Sequence, residues 1–262
     1  MTRKKKIKKV LYSLLLTILV FVLCVATIIL YPQPLFANKV EYQQFKVYSN
    51  EKIGNEIRSV LDSALSLVKK SELFDSTYKV DIFLSYHTFL NTIDDKVFGY
   101  EQAARAIDNN LVFKVAVDIS KNLIYPTFHK SCKTGFSYAI AHEMIHCLQA
   151  NKYGILKFNP FKHPEMWKLD GYPEYIARQK FSDTSYNLKK EIAKYIELKS
   201  KQTDIWFPIE NGDCDLPEVY YKSRLMTEYL INVRHLSYDQ ILKDIHSEEE
   251  IYAEMIAWAN IL

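Results

Sequence analysis

Phe136 to Ala150 reads FSYAIAHEMIHCLQA, and its reading decides the fold. Ile140, Met144, Cys147 and Leu148 recur at helical spacing and form one apolar stripe. Gly154, about a turn later, is a natural helix stop. His142, Glu143 and His146 therefore stand inside an expected helix. Imidazoles four residues apart project from one face and can grip one metal ion. The glutamate beside them can reach a water on that ion rather than the ion itself. Two neutral imidazoles, a carboxylate and a water suit Zn2+. Ile140, Ala141 and Ile145 make the helix apolar on most sides, so these three polar groups need partners.

The third ligand has to come from elsewhere. Gln149 and Lys152 stand where a three-histidine pattern requires Gly and His, and the next histidine, His163, lies between Pro160 and Pro164. Downstream, Trp167 to Ala177 reads WKLDGYPEYIA. Proline fits the first turn of a helix, where its missing N–H is not needed, so Pro173 predicts a helix starting near Asp170. Asp170 and Glu174, four apart, then share one side of it. Asp170 is the first candidate ligand and Glu174 the alternative; a plain N-cap is the competing role for Asp170.

H-E-M-I-H followed by W-x-x-D-G-Y-P-E-Y resembles the gluzincin metallopeptidases, of the thermolysin and aminopeptidase N type. Those families carry H-E-x-x-H and then N-E-G-x-A-E-Y on a following helix. The resemblance implies that the residue before Gly171, here Asp170, is the third zinc ligand. It is one methylene shorter than the family's Glu, so its helix would have to approach more closely. The resemblance also implies that Glu174 orients a zinc-bound histidine. Further on, Val219 to Leu230 is similar to the Y-x-x-S-x-x-x-x-x-Y-L helix of peptidase MA-like proteins, with Asp215, Pro217 and Glu218 as its expected start. It implies Tyr220, next to Tyr221, as the donor to an oxyanion. The similarity covers roughly Leu111 to Leu230 and implies that Leu111–Ile119 is an edge strand that pairs with extended peptides.

The implied chemistry is metal-assisted amide hydrolysis. Zinc polarises the scissile carbonyl and brings its water's pKa near neutrality, Glu143 moves the proton, and Tyr220 steadies the oxyanion. The catalytic residues are then Glu143 and Tyr220, with His142, His146 and Asp170 as metal ligands.

Outward from this site, Glu51–Lys70 reads as an amphipathic helix, and Tyr78–Tyr86 and Leu111–Ile119 as strands. Lys189–Lys199, Leu216–His235, Tyr238–His246 and Glu248–Leu262 read as helices. The expected class is α+β. A small mixed α/β lobe (about 51–135) with an edge strand precedes an α-helical lobe (about 136–262), with the active-site helix between them. Asp94-Asp95 reads as a solvated turn, and Trp167, Trp206 and Trp258 as core. A disulfide between Cys132 and Cys214 is one of several pairings, with Cys147 a small core residue.

The 262 residues carry 48% hydrophobic and 25% charged side chains, which excludes a disordered or disulfide-dense chain. Net charge is +3, but six basic residues fall within the first nine, leaving 28 basic against 31 acidic. No nucleic-acid footprint lies outside that tail. Val10 to Tyr31 carries no charge and spans about 33 Å as a helix, enough to cross a membrane. The basic flank predicts a cytoplasmic N-terminus and an extracytoplasmic remainder. A cleaved signal peptide would have a shorter apolar stretch and a small residue at Leu35. The expected organisation is a tail (1–9), a single-pass anchor (10–31), a juxtamembrane segment (32–50) and a metallopeptidase domain (51–262). The expected partners are a peptide or protein substrate and the membrane. Three rivals stand beside this reading: an inactive binding or assembly module, a zinc amide hydrolase acting on cell-wall peptide, and a helical anchor domain in which the H-E-x-x-H motif arises by chance.

Overall fold

The computed structural model describes residues 3–99, 102–126, 133–158, 162–178, 186–201, 206–208 and 215–260. In chain order these form α1 (Arg3–Leu30), β1 (Asn38–Tyr42), β2 (Phe45–Ser49), α2 (Ile57–Val68), β3 (Val80–Leu84), α3 (Phe89–Phe98), β4 (Ala104–Ile107) and β5 (Asn110–Phe113). Three short strands follow, β6 (Ala116–Asp118), β7 (Leu123–Tyr125) and β8 (Thr134–Gly135), then α4 (Phe136–Tyr153), α5 (Met166–Ala177) and α6 (Leu188–Lys201). The chain closes with β9 (Trp206–Pro208), β10 (Asp215–Pro217), α7 (Glu218–Asn232), α8 (Tyr238–Lys243) and α9 (Glu248–Ala259). The architecture is mixed α/β with one N-terminal helix, apolar over Ile7–Leu30, long enough to cross a membrane.

The main sheet has the order β1-β2-β3-β5-β4, with β2, β3 and β5 parallel and both outer strands antiparallel to their neighbours. Side chains alternate between its faces, as the pleat requires. Val47, Ile82, Leu111 and Phe113 join the core shared with α2 and α4. Tyr48, Phe83 and Val112 point the other way and pack with Leu90 of α3, Ile28 of α1 and Phe36. The end of α1 is thus part of the folded body. Asn110 Nδ2 donates to the Leu30 carbonyl at 2.9 Å, and Gln33 Nε2 donates to Asp81 at 2.9 Å.

Several sequence expectations shift. Segment 32–50, read as juxtamembrane, supplies β1 and β2 of the sheet. Leu111–Ile119 is not one edge strand: β5 ends at Phe113 in the interior of the main sheet, and β6 belongs to another. The break falls at Lys114, whose buried ammonium turns to Asp94 and Asp95 at 3.0 and 2.7 Å. Those two aspartates are therefore no solvated turn; Asp94 is buried inside α3 and also pairs with Arg105. The edge is β4. The Cys132–Cys214 pairing falls outside the described residues.

α4 begins at Phe136 without a cap of its own side chains. Asn122 supplies one from a neighbouring loop, accepting from Ser137 N at 2.8 Å on Oδ1 and from Phe136 N at 2.9 Å on its carbonyl. Gly154, at φ 93°, ends the helix in a conformation that disfavours side chains. α5 lies against α4 on one side and α7 on the other. Gly171 makes that sandwich possible: a Cβ there would lie 2.7 Å from the Ser223 carbonyl of α7.

Candidate metal centre

α4 presents His142, Glu143 and His146 to a cleft of about 550 Å³ that Asp170, Glu174 and Tyr220 also line. His142 Nε2 and His146 Nε2 are 3.1 Å apart, and His146 Nε2 is 3.2 Å from Asp170 Oδ1. One ligand atom from each of the three residues lies within 4.8 Å of the others. A tetrahedral zinc with bonds of about 2.0–2.1 Å has ligand-to-ligand edges of about 3.3 Å. These two edges, 3.1 and 3.2 Å, come close to that, and the donor set of two imidazole nitrogens and one carboxylate oxygen suits the same ion. The residues fit zinc.

Glu174 lies behind the cluster, with Oε1 3.2 Å from His142 Nδ1. The approach is off the hydrogen-bond axis, so Nδ1 has no aligned acceptor. Burial alone would lower the His142 pKa, but the Glu174 carboxylate beside it, aided by Glu143 and Asp170, pushes it up to about 9. Burial also opposes the Glu174 charge; Arg178, 2.5 Å away, and His142 hold its pKa down at about 2. Tyr220 sits in the first turn of α7 with its ring centroid 6.4 Å from that of His142. The negative charge of Asp170, then burial, push its phenol pKa up, so the hydroxyl keeps its proton.

Asp170 and Glu174 thus both reach the site, but at different histidines: Asp170 Oδ1 meets His146 Nε2, and Glu174 stands beside Nδ1 of His142. His163 is exposed and bonds the Pro164 carbonyl. α5 does not start near Asp170. It starts at Met166, and Pro173 lies in its interior. α7 starts at Glu218, with Pro217 as its cap position.

Two features escaped the sequence reading. Gln149, noted only as the wrong residue for a third-histidine pattern, accepts from His146. Strand β4 lines the cleft through Ala104 and Ala106. Its Ala-Arg-Ala-Ile composition favours helix, but the Asp108-Asn109 hairpin turn, with Asp108 at φ 54°, was a usable signal. No family model, curated protein or solved structure matches the chain, so the reading rests on this geometry.

Proposed function

We propose that this chain is a membrane-anchored zinc metallopeptidase of the gluzincin type, hydrolysing peptide bonds outside the cytoplasm. The observation that carries the reading is the cluster of His142 Nε2, His146 Nε2 and Asp170 Oδ1 in the cleft that Glu143 and Tyr220 line. His142, His146 and Asp170 would hold the zinc, which when bound supplies the Lewis acidity that polarises an amide carbonyl and makes a water acidic near neutral pH. Glu143 takes the proton of the attacking water and delivers it to the leaving amine. Tyr220, protonated beside Asp170, donates to the amide oxygen as it gains charge. The Glu174 carboxylate, 3.2 Å from Nδ1, stands behind His142 on the side away from the cluster and favours a ring with its proton on Nδ1.

Strand β4 supports a polypeptide substrate. It is the last strand of its sheet and pairs on one side with β5, leaving its outer backbone edge to an extended chain added as a further strand. The apolar helix Ile7–Leu30, preceded by basic residues, supports a cytoplasmic N-terminus.

The test is zinc content by elemental analysis, alongside cleavage of an unfolded protein and of cell-wall peptide, on the full chain in detergent. About one zinc per chain is expected, lost in His146→Ala and Asp170→Ala. Glu143→Gln should keep its zinc and lose at least about 10²-fold in turnover. Zinc without cleavage of either substrate would favour the binding module, cleavage of wall peptide alone the amide hydrolase. Absence of zinc after reloading would overturn the site.

A further inference from the structure

Behind the ligand cluster, one buried amide joins the two helices that carry it. Gln149 is 0% exposed and follows His146 by one turn of α4. Its Nε2 donates to the Leu169 carbonyl at 3.0 Å and to the Tyr238 hydroxyl at 2.6 Å. Tyr238 in turn donates to the Lys168 carbonyl at 2.9 Å. A carbonyl can only accept, so the amide nitrogen must face Leu169, and Oε1 is left 2.8 Å from His146 Nδ1. An amide oxygen can only accept as well, so Nδ1 carries the ring proton. In the neutral ring that a metal requires, His146 Nε2 is then the nitrogen with the lone pair, on the side where Asp170 and His142 stand.

The Leu169 carbonyl has a particular need for this donor. In an α-helix it would accept from the N–H four residues on, and that residue is Pro173, which has none. Gln149 fills the place from α4. The next residue along α5 is Asp170, so the same side chain that orients one candidate ligand pins the backbone that carries another.

We propose that Gln149 is a positioning residue of the metal centre. Its Oε1 fixes the His146 tautomer, while its Nε2 ties α5, and with it Asp170, to α4 at the carbonyl that Pro173 leaves free. This role rests on the metal-site reading above. It differs from a plain interhelical link, because Pro173→Ala gives Leu169 a backbone donor of its own and separates the two duties of the amide.

The experiment compares wild type with three full-length variants in detergent: Pro173→Ala alone, and Pro173→Ala combined with Gln149→Leu or with Gln149→Glu. Each is measured for Zn2+ affinity by chelator competition and for thermal midpoint. Glu keeps an acceptor for Nδ1–H; Leu removes it. The Glu variant is expected to bind zinc within about threefold of Pro173→Ala alone, and the Leu variant about 10–100-fold more weakly, with midpoints that do not follow the same order. Equal zinc affinity of the Leu and Glu variants would overturn the role and leave Gln149 a mere link between helices. If the Leu variant fails to fold, the Glu variant decides: binding tenfold or more below Pro173→Ala overturns the proposal. Wild type that takes up no zinc overturns the metal site itself and this role with it, whereas wild type that binds while the variants do not differ removes this role alone.

Discussion

Asp170 is one methylene shorter than a glutamate, yet its Oδ1 comes within 3.2 Å of His146 Nε2. Gly171 lets α7 press against α5, since a Cβ would meet Thr227 Oγ1 at 2.4 Å and the Ser223 carbonyl at 2.7 Å. Gly171→Ala is therefore expected to cost about 1–3 kcal/mol of stability and to weaken zinc binding, because α5 must shift to make room. Thermal unfolding with a zinc titration checks this; a variant unchanged in both would discount the role of α7. The His142–Glu174 pair has a pH signature in chelator-stripped protein. His142 holds its proton up to about pH 9, whereas the unfolded residue releases it near 6.5. The stabilisation is fully present below 6.5 and is lost as pH rises through 9. The thermal midpoint of stripped protein should fall across that window, and a flat profile in a pH series would argue against the pair.

Among the elements, the helices were the most legible. The stripe of Ile140, Met144, Cys147 and Leu148 is buried as its spacing required, and so is that of Ile57, Val60, Leu61, Ala64 and Leu65 in α2. Long-range compensation was not legible. Pro173 suggested a helix start because its local effect is to remove a donor, and the donor that replaces it comes from Gln149, far away in sequence. Strand β4 was hidden for a related reason. Arg105 sits in it because α3 offers Asp94, with which it pairs at 3.2 Å on the buried sheet face. Likewise β1 and β2 show Val-Glu-Tyr and Phe-Lys-Val-Tyr alternation across Gln43-Gln44, but their place in the sheet depends on partners later in the chain. The ligand cluster needed less: two histidines on one turn of helix fix most of their mutual geometry, and only the third ligand required the fold. The ion cluster under β4 carries its own prediction. Asp94→Ala leaves Arg105 and Lys114 buried without their shared carboxylate, which should cost about 3–5 kcal/mol. Denaturant unfolding measures it, and a loss below about 1 kcal/mol would mean that Asp95 alone suffices for Lys114.

At the scale of the molecule, the apolar N-terminal helix and the folded body are not separable at the boundary that the sequence suggests. Ile29 is buried, Ile28 and Phe36 pack on Tyr48, Phe83, Leu90 and Val112, and the Phe36 and Phe83 ring centroids are 5.4 Å apart. A fragment beginning at residue 38 strips that cover from the sheet. It should melt several degrees below a fragment beginning at residue 24, and it should bind a hydrophobic dye that the longer one does not. Matching midpoints would show that the contact is dispensable.

The same seam has a mechanical meaning. Where a pliant tether would let a domain swing through a wide arc, the bond from Asn110 to the last carbonyl of α1 and that from Gln33 to Asp81 leave little slack. With α1 in a bilayer, the cleft would ride at one height and one tilt above the lipid. Were the proposed peptidase activity present, altitude would then act as a sieve, admitting the stretches of a neighbouring chain that pass at that level and ignoring identical sequence farther out.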